Sequence, residues 1–331
     1  MTGVEYKMGK KLVITGGCGF IGSSFTRKMV DSFPSIEIHN IDFLTYSGNK
    51  KNLESIENNE NYFFHHLDIR DNYKISEVCN NADYIVNFAA ETHVDRSISG
   101  PEIFISTNVL GTTVLLEAAT KYNSRMVHIS TDEVYGSLEE ADLPSDEADI
   151  LKPSSPYSSS KASSDLICLS YFKTYGTKVS VTRCTNNYGP YQYPEKLIPV
   201  LIHKALENEP LPIYGDGRNI RDWIFVDDHS DAIEKVMFDG RPGEIYNIGG
   251  SNQKRNLEIC QIILEELSGK TNSKIKFISD RPGHDWRYAV NDSKIQSELG
   301  WKPETDFKSG IKATINWYLE NRDWWEPLLS K

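Results

Sequence analysis

The sequence predicts an α/β protein built on a doubly wound parallel sheet, with a smaller mixed α/β domain toward the C-terminus. Three observations predict it. Between Lys11 and about Cys184 short apolar runs alternate with longer helix-like segments. The apolar runs are nearly continuous, as strands buried on both faces require. Beyond Cys184 the alternation gives way to segments rich in Pro, Tyr and Gly, such as NNYGPYQYPEKLIP and SDRPGHDWRY.

Taken in order, the strand candidates are residues 12–15, 37–42, 62–68, 84–89, 126–130 and 179–183, six in all. Residues 223–237 and 244–248 read as strand, helix and strand, so the chain returns to the sheet before finishing. The expected first domain is therefore residues 10–190 together with about 221–250. Residues 191–220 and 251–331 are expected to form the second, substrate-facing domain, closed by a terminal helix over 317–325.

The 331 residues are 39% hydrophobic and 25% charged, which is ordinary for a folded globular chain and excludes disordered or fibrous classes. A formal charge of -11, without a basic run, argues against nucleic acid or an anionic membrane as partner. An anionic ligand would need local basic residues. Five cysteines, Cys18, Cys79, Cys168, Cys184 and Cys260, form no C-x-x-C pair, so reduced thiols and no metal site are expected. No apolar signal core opens the sequence, and no apolar run approaches a membrane span, so a cytoplasmic protein is expected.

Directly after the first strand comes Thr15-Gly16-Gly17-Cys18-Gly19-Phe20-Ile21-Gly22. It can be read as G-x-G-x-x-G at Gly17, Gly19 and Gly22, or as G-x-x-G-x-x-G at Gly16, Gly19 and Gly22. Glycines here permit a tight turn and let backbone N–H groups and a helix N-terminus approach a pyrophosphate. Asp42 follows Gly22 by twenty residues, at the end of the second strand, where a carboxylate accepts from ribose hydroxyls. It would repel the extra phosphate of NADP, and Asp42-Phe43-Leu44-Thr45 offers no basic partner for that phosphate, so the expected cofactor is NAD in a Rossmann-type domain. A plain glycine-rich turn with a capping Asp is the bland alternative. Asp68 and Ile69, read as the end of the third strand, could bracket an adenine; a helix N-cap explains Asp68 as well. Ala89, Ala90, Glu91, Thr92 and His93 close the fourth strand with mostly small residues, which leave room for a ligand or pack against a helix.

Tyr157 and Lys161 stand four residues apart, on one helical face if Pro156 opens the helix. A free tyrosine titrates near ~10 and is a poor base, but a neighbouring ammonium stabilises its phenolate, so Tyr157 could take a hydroxyl proton as hydride leaves the same carbon. An exposed Tyr and Lys would be the ordinary explanation elsewhere. Here the pair follows the fifth strand, whose end carries Ser130 and Thr131. Asp132 and Glu133 come next, two carboxyl groups that both reach one ligand only if the strand has ended. One held protonated and one ionised would supply an acid and a base; a solvated acidic loop is the alternative.

With TGGCGFIG, FAAETHVDRS, STDEVYG, PYSSSKASSD, RCTNNYGPYQYPEKLIP, RDWIFVDDH and RPGHDWRY in this order, the chain resembles the extended short-chain dehydrogenase/reductase family, and within it the sugar-nucleotide dehydratases. The resemblance covers essentially the whole sequence. It implies NAD as resident cofactor, dTDP-glucose as substrate, loss of water between C5 and C6 after oxidation at C4, a place in deoxysugar (dTDP-rhamnose) synthesis, and a homodimer formed by helices near 108–122 and 157–175. It further implies that Phe20, Ile21, Asp42, Phe43, Leu44, Thr45, Asp68, Ile69, Ala89, Ala90, Thr92, Thr107, Tyr157, Lys161 and Asn187 line the cofactor. His93, Thr131 and Asn186 would meet the sugar and its diphosphate. Lys196, Leu197, Pro212, Ile213, Tyr214, Arg221, Asn256, Asp280, Arg281, Pro282, Gly283 and His284 would hold the nucleotide. Lys196, Arg221 and Arg281 bring the positive charge a diphosphate needs, although each could equally form a surface salt bridge. Tyr214 could stack on a base or fill a core. A UDP-sugar 4-epimerase or decarboxylase of the same family is the nearest alternative, and an NAD-binding sensor without catalysis the alternative from another class.

Overall fold

The computed structural model describes residues 10–280 and 283–329. In chain order its strands are β1 (Lys10–Thr15), β2 (Ile36–Asp42), β3 (Tyr62–His66), β4 (Tyr84–Asn87), β5 (Arg125–Thr131), β6 (Val179–Cys184), β7 (Asn186–Tyr188), β8 (Leu211–Tyr214), β9 (Ile220–Phe225), β10 (Ile245–Ile248), β11 (Gln253–Arg255) and β12 (Ile275–Ile278). Seven of them form one parallel sheet in the order β10-β6-β5-β4-β1-β2-β3. Leu12, Val13, Ile14, Ile85, Val86, Met126 and Val127 are fully buried in it, which is why these runs show no polar alternation. All six strands expected between Lys11 and Cys184 are present. Two are shorter than expected: β3 stops at His66 and β4 at Asn87, so Asp68 and Ala89 lie in the loops beyond them.

β1 sits between β2 and β4, with Thr15 opposite Ile41 on one side and Asn87 on the other. After β3 the chain crosses back to β4 and builds the other half of the sheet. Connections therefore leave β1 and β4 in opposite directions, which opens a crevice at their carboxyl ends, the place where doubly wound sheets take ligands.

Helix Thr112–Tyr122 covers one face, and its Leu115 and Leu116 are fully buried in a core with Ile85, Met126 and Val181. Each such side chain stabilises the fold by about 1.5–3 kcal/mol. The expected helix over 108–122 starts earlier: Pro101–Phe104 is α-helical and Ile105–Gly111 π-helical before Thr112. The run Pro101–Tyr122 is long and apolar enough to cross a membrane by length and composition, but half of it is buried, as in the core helix of a globular protein.

The chain packs as two compact units. One contains the residues up to Ser130, Ser155–Arg183 and Ser230–Tyr246; the other contains Thr131–Ser154, Cys184–His229 and the chain from Asn247. Residues 131–154, 184–190, 221–229 and 247–250, expected in the first domain, fall in the second unit. Residues 131–154 do so because Leu138 bridges Arg287 and Ser145 bridges Val290, while the Arg287 guanidinium donates to the carbonyls of Glu139 and Asp142. Residues 221–229 do so because β9 lies between β11 and β7 in a three-stranded sheet.

β12 pairs with β8 in parallel, and helices around both small sheets bury Tyr188, Leu201, Trp223, Ile259, Ile263, Ile311 and Tyr318. The C-terminal segment is not one helix over 317–325. Helix Phe307–Glu320 ends at Asn321, whose side chain donates to the carbonyl of Trp317, and a second helix, Arg322–Trp325, turns back. That break lets Trp325 bury completely and donate to the Tyr318 carbonyl at 2.8 Å.

Candidate active site

In the first unit, φ of +72° at Gly16 selects between the two glycine registers, since the tight turn falls there. A β-carbon on Gly16 would lie 2.6 Å from the Ala89 nitrogen, and one on Gly22 would lie 2.3 Å from the Gly16 carbonyl oxygen. The loop thus packs backbone on backbone. Gly19 caps helix Phe20–Ser32 without a side chain, and no acidic residue occupies its first turn. Unfilled N–H groups and an unopposed helix dipole at the carboxyl end of β1 suit a pyrophosphate.

Asp42 ends β2 as expected and is 8% exposed. Its two oxygens accept from the backbone N–H groups of Cys18 (2.9 Å) and Leu44 (2.8 Å), which ties β2 to the glycine loop. Burial raises its carboxyl above the usual range, and those two amides oppose the rise. Leu44 takes a positive φ of 53° to make its bond, and Phe43 stands exposed against the His66 ring; Thr45 is exposed. Asp68 is neither at a strand end nor a helix cap. It holds Arg70 in a bidentate pair, and Asp71 caps the next helix. Ile69 is core: its side chain fills the space above Gly111. Phe20, Ile21, Ala89, Ala90, Thr92 and Thr107 are partly exposed. His93 caps helix Val94–Ser99, accepting from the Arg96 amide.

Helix Pro156–Tyr175 begins as expected, with Pro156 in its first turn and a reciprocal cap between Ser155 and Ser158. Tyr157 and Lys161 share one face of it, 7% and 3% exposed. The Lys161 ammonium donates to the Ile129 carbonyl at 2.7 Å and lies 3.3 Å from His128 Nε2. Asn108, fully buried in the π-helical turn, donates to Ser160 and exchanges hydrogen bonds with the backbone of Glu91, joining that loop to helix Pro156–Tyr175.

In the second unit, β5 ends at Thr131 and the chain enters a 3-10 turn, Asp132–Tyr135, so the condition on the two carboxyl groups is met: the strand has ended. Thr131 Oγ1 accepts from the Glu133 amide and donates to Asp132 Oδ1, both at 3.2 Å. Gly136 closes the turn at φ +83°. Asp132 is 3% exposed, and burial, then the charge of Glu133, hold its carboxyl well above the ordinary 3.8. A protonated carboxyl beside a second carboxyl group can donate one proton while its neighbour takes another. Arg221 opposes that shift, but its guanidinium already donates to the carbonyls of Ile220, Asp285 and Trp286 and lies over the Tyr288 ring at 4.4 Å.

The other expected substrate contacts divide. Asn187 donates to the Thr185 carbonyl and accepts from His229, beside Asn186 on β7. Lys196 caps the helix that Leu197 begins. On β8 Pro212 and Tyr214 face outward, whereas Ile213 is 1% exposed and packs in the core: strand alternation puts it opposite its neighbours. Asn256 begins a helix and is nearly buried. Asp280 and His284 pair at 2.6 Å around Gly283. Arg281 and Pro282 lie outside the described residues. Among the described residues no cluster of potential metal ligands occurs.

The polar residues behind Lys161 were missed by the reading of motifs. Asn87, His128, Asp165 and Arg183 are all buried, and Arg183 Nε donates to Asp165 at 2.9 Å. The available signal was a polar residue inside an apolar strand, as in MVHIS and VSVTRC.

Residues 13–314 match the family model of GDP-mannose 4,6 dehydratase. The chain belongs to this family. Within it, the chain is 48% identical to the dTDP-glucose 4,6-dehydratase of Salmonella typhimurium strain LT2, over 95% of this chain and 94% of that one. The crystal structure of the Bacillus anthracis dTDP-glucose 4,6-dehydratase in complex with NAD superposes with a TM-score of 0.90 at 48% identity, over 96% of this chain and 99% of that one. The UDP-glucose 4-epimerase of Thermotoga maritima shares the fold, with a TM-score of 0.86, but only 28% identity over 94% of this chain and 99% of that one. The family's fold thus serves both reactions, and the side chains must distinguish them.

Proposed function

We propose that this chain is a dTDP-glucose 4,6-dehydratase, converting dTDP-glucose to dTDP-4-keto-6-deoxyglucose and water. The observation that carries the reading is Asp132, buried with a raised carboxyl beside Glu133, on a turn that follows β5 without interruption. Oxidation and reduction at one carbon need no such pair; elimination needs both an acid and a base.

Gly16, Gly19, Gly22 and Asp42 would hold NAD, which when bound supplies a hydride acceptor at C4 and gives the hydride back at C6. Tyr157 takes the proton of the sugar 4-hydroxyl, its phenolate stabilised by Lys161. Thr131 would hydrogen-bond the 4-oxygen, its hydroxyl turning from Asp132 Oδ1. The ketone acidifies the C5 proton, which Glu133 removes while Asp132 protonates the departing 6-hydroxyl. Glu133 then returns its proton to C5. NAD ends each turnover as it began.

The test is to supply dTDP-glucose to purified protein, quench with alkali and measure the absorbance of the 4-keto product. Accumulation of free NADH without ketone would refute the reading and favour an ordinary sugar-nucleotide dehydrogenase. A 4-epimerase or decarboxylase is separated by replacing Asp132 with Asn and Glu133 with Gln together: a dehydratase still oxidises C4 but fails to eliminate, whereas an epimerase is little changed. Binding of NAD without any turnover would support a sensor.

A homodimer is part of the proposal. Ile105, Leu110, Leu166 and Tyr175 are exposed apolar side chains on the helical run 101–122 and on helix Pro156–Tyr175, a pattern that a second copy would bury. Five buried cysteines, none of them in a disulfide, fit a cytoplasmic location. The 4-keto-6-deoxy product suits a pathway to a deoxysugar such as dTDP-rhamnose for a cell-surface polysaccharide.

A further inference from the structure

His128 sits in the middle of β5, fully buried, and the motifs give it no role. Its Nδ1 lies 3.1 Å from the side-chain amide of Asn87 on β4, and its Nε2 lies 3.0 Å from Ser164 Oγ and 3.3 Å from the Lys161 ammonium. The Asn87 amide is also bonded to the hydroxyls of Thr15 (2.7 Å) and Thr112 (3.2 Å). Ser164 Oγ also lies 2.8 Å from the Lys161 carbonyl, and with Nε2 bare its one hydrogen turns from that oxygen to Nε2. A chain of buried polar groups thus runs from the last residue of β1, beside the glycine loop, through β4 and β5 to the backbone and side chain of Lys161.

We propose that His128 is a positioning residue for Lys161: its Nε2 accepts one hydrogen of the ammonium while the Ile129 carbonyl accepts another. The inference rests on the proposed role of Lys161 in supporting Tyr157.

The ammonium decides which ring nitrogen carries the proton. Lysine is a donor only, so a protonated Nε2 at 3.3 Å would set two donors against each other. The lone pair therefore faces Lys161, and the ring proton sits on Nδ1. This requires the Asn87 amide, whose nitrogen faces Nδ1 and whose oxygen faces the Thr15 hydroxyl, to be turned over, with the hydroxyls of Thr15 and Thr112 rotating to match. The charged groups around the ring are Lys161 and, at 3.8 Å, Asp165, itself paired with Arg183. Burial, and then the Lys161 charge, hold the imidazole well below its ordinary 6.5, which keeps the acceptor available. Both contacts hold the ammonium against β5.

The decisive measurement is the nitrogen-15 spectrum of the His128 ring in the wild-type holoenzyme. Protonation at Nδ1 and a bare Nε2, unchanged from about pH 5 to 8, is expected; a proton on Nε2 overturns the proposal. Kinetics supply a second readout. His128→Leu should raise the acid limb of the single-turnover C4 oxidation by about one unit, a tenfold loss of rate on that limb. His128→Gln, whose amide oxygen can take the place of Nε2, should bring the limb back. If His128→Leu only lowers the melting temperature and leaves the limb where it was, the residue is structural and the proposal falls. If neither variant folds, the spectrum decides. Wild-type protein that makes no ketone while showing the expected spectrum would sink the dehydratase reading and leave this one standing.

Discussion

Replacing Asp132 with Asn removes one proton and almost no volume, so it asks whether that proton does chemistry. Asp132 is 3% exposed, and its Oδ1 accepts from Thr131 at 3.2 Å, a bond the Asn carbonyl can keep. A positioned general acid contributes typically 10²–10⁴-fold, or about 3–5 kcal/mol at 1.36 kcal/mol per tenfold. Ketone formation at C6-deoxygenated product should fall by that factor, whereas oxidation at C4, followed as transient absorbance of the reduced nicotinamide, should persist. The same substitution has an opposite effect on stability. Burial raises the Asp132 carboxyl in the folded protein, so the folded state holds its proton more tightly than the unfolded chain. As pH rises above 3.8 the unfolded chain releases that proton first, and wild-type stability falls until the folded carboxyl ionises as well. Asn has no proton to lose. Asp132→Asn should therefore melt higher than the wild type at neutral pH, and the two curves should converge as pH approaches 3.8. Dehydration within tenfold of wild type, or a lower melting temperature at neutral pH, would refute the reasoning.

Gly16→Ala should lose NAD on purification and lose at least about 1–2 kcal/mol of stability, because φ is +72° and the new β-carbon meets the Ala89 backbone at 2.6 Å; absorbance of the bound cofactor and a urea titration check both. Arg183→Met strands the buried Asp165 carboxylate and should cost about 3–5 kcal/mol at neutral pH. Since burial raises the Asp165 carboxyl and Arg183 opposes the rise, the deficit should shrink as acid protonates Asp165, seen in urea melts at two pH values. The unaltered chain should run as a dimer in light scattering and Leu110→Glu combined with Leu166→Glu as a monomer; a wild-type monomer at micromolar concentration would count against the proposed interface.

Much of the first unit was legible because each signal is local. β1, the glycine turn and helix Phe20–Ser32 follow one another within some twenty residues, and the sequence carries the whole motif. Tyr157 and Lys161 share a helical face by spacing alone. The less legible parts depend on partners distant in the chain. Ile69 is packed against Gly111 and Ile213 into a core by the alternation of β8, neither of which their neighbours in sequence reveal. Asp68 looked like a cap because its partner Arg70, two residues on, has several possible roles. Residues 131–154 looked like part of the first domain because their bridging partners lie at 287 and 290.

The sequence by itself determined the sheet, the cofactor loop and the chemical types available for catalysis, since periodicity and short spacings are properties of neighbouring residues. It also placed two carboxyl groups after β5. Only the tertiary structure decided that the strand stops at Thr131, that burial raises the Asp132 carboxyl, and that His128 meets Lys161 through a shared interior. Burial and charge–charge proximity are set by the whole fold, and they decide what a given side chain can do.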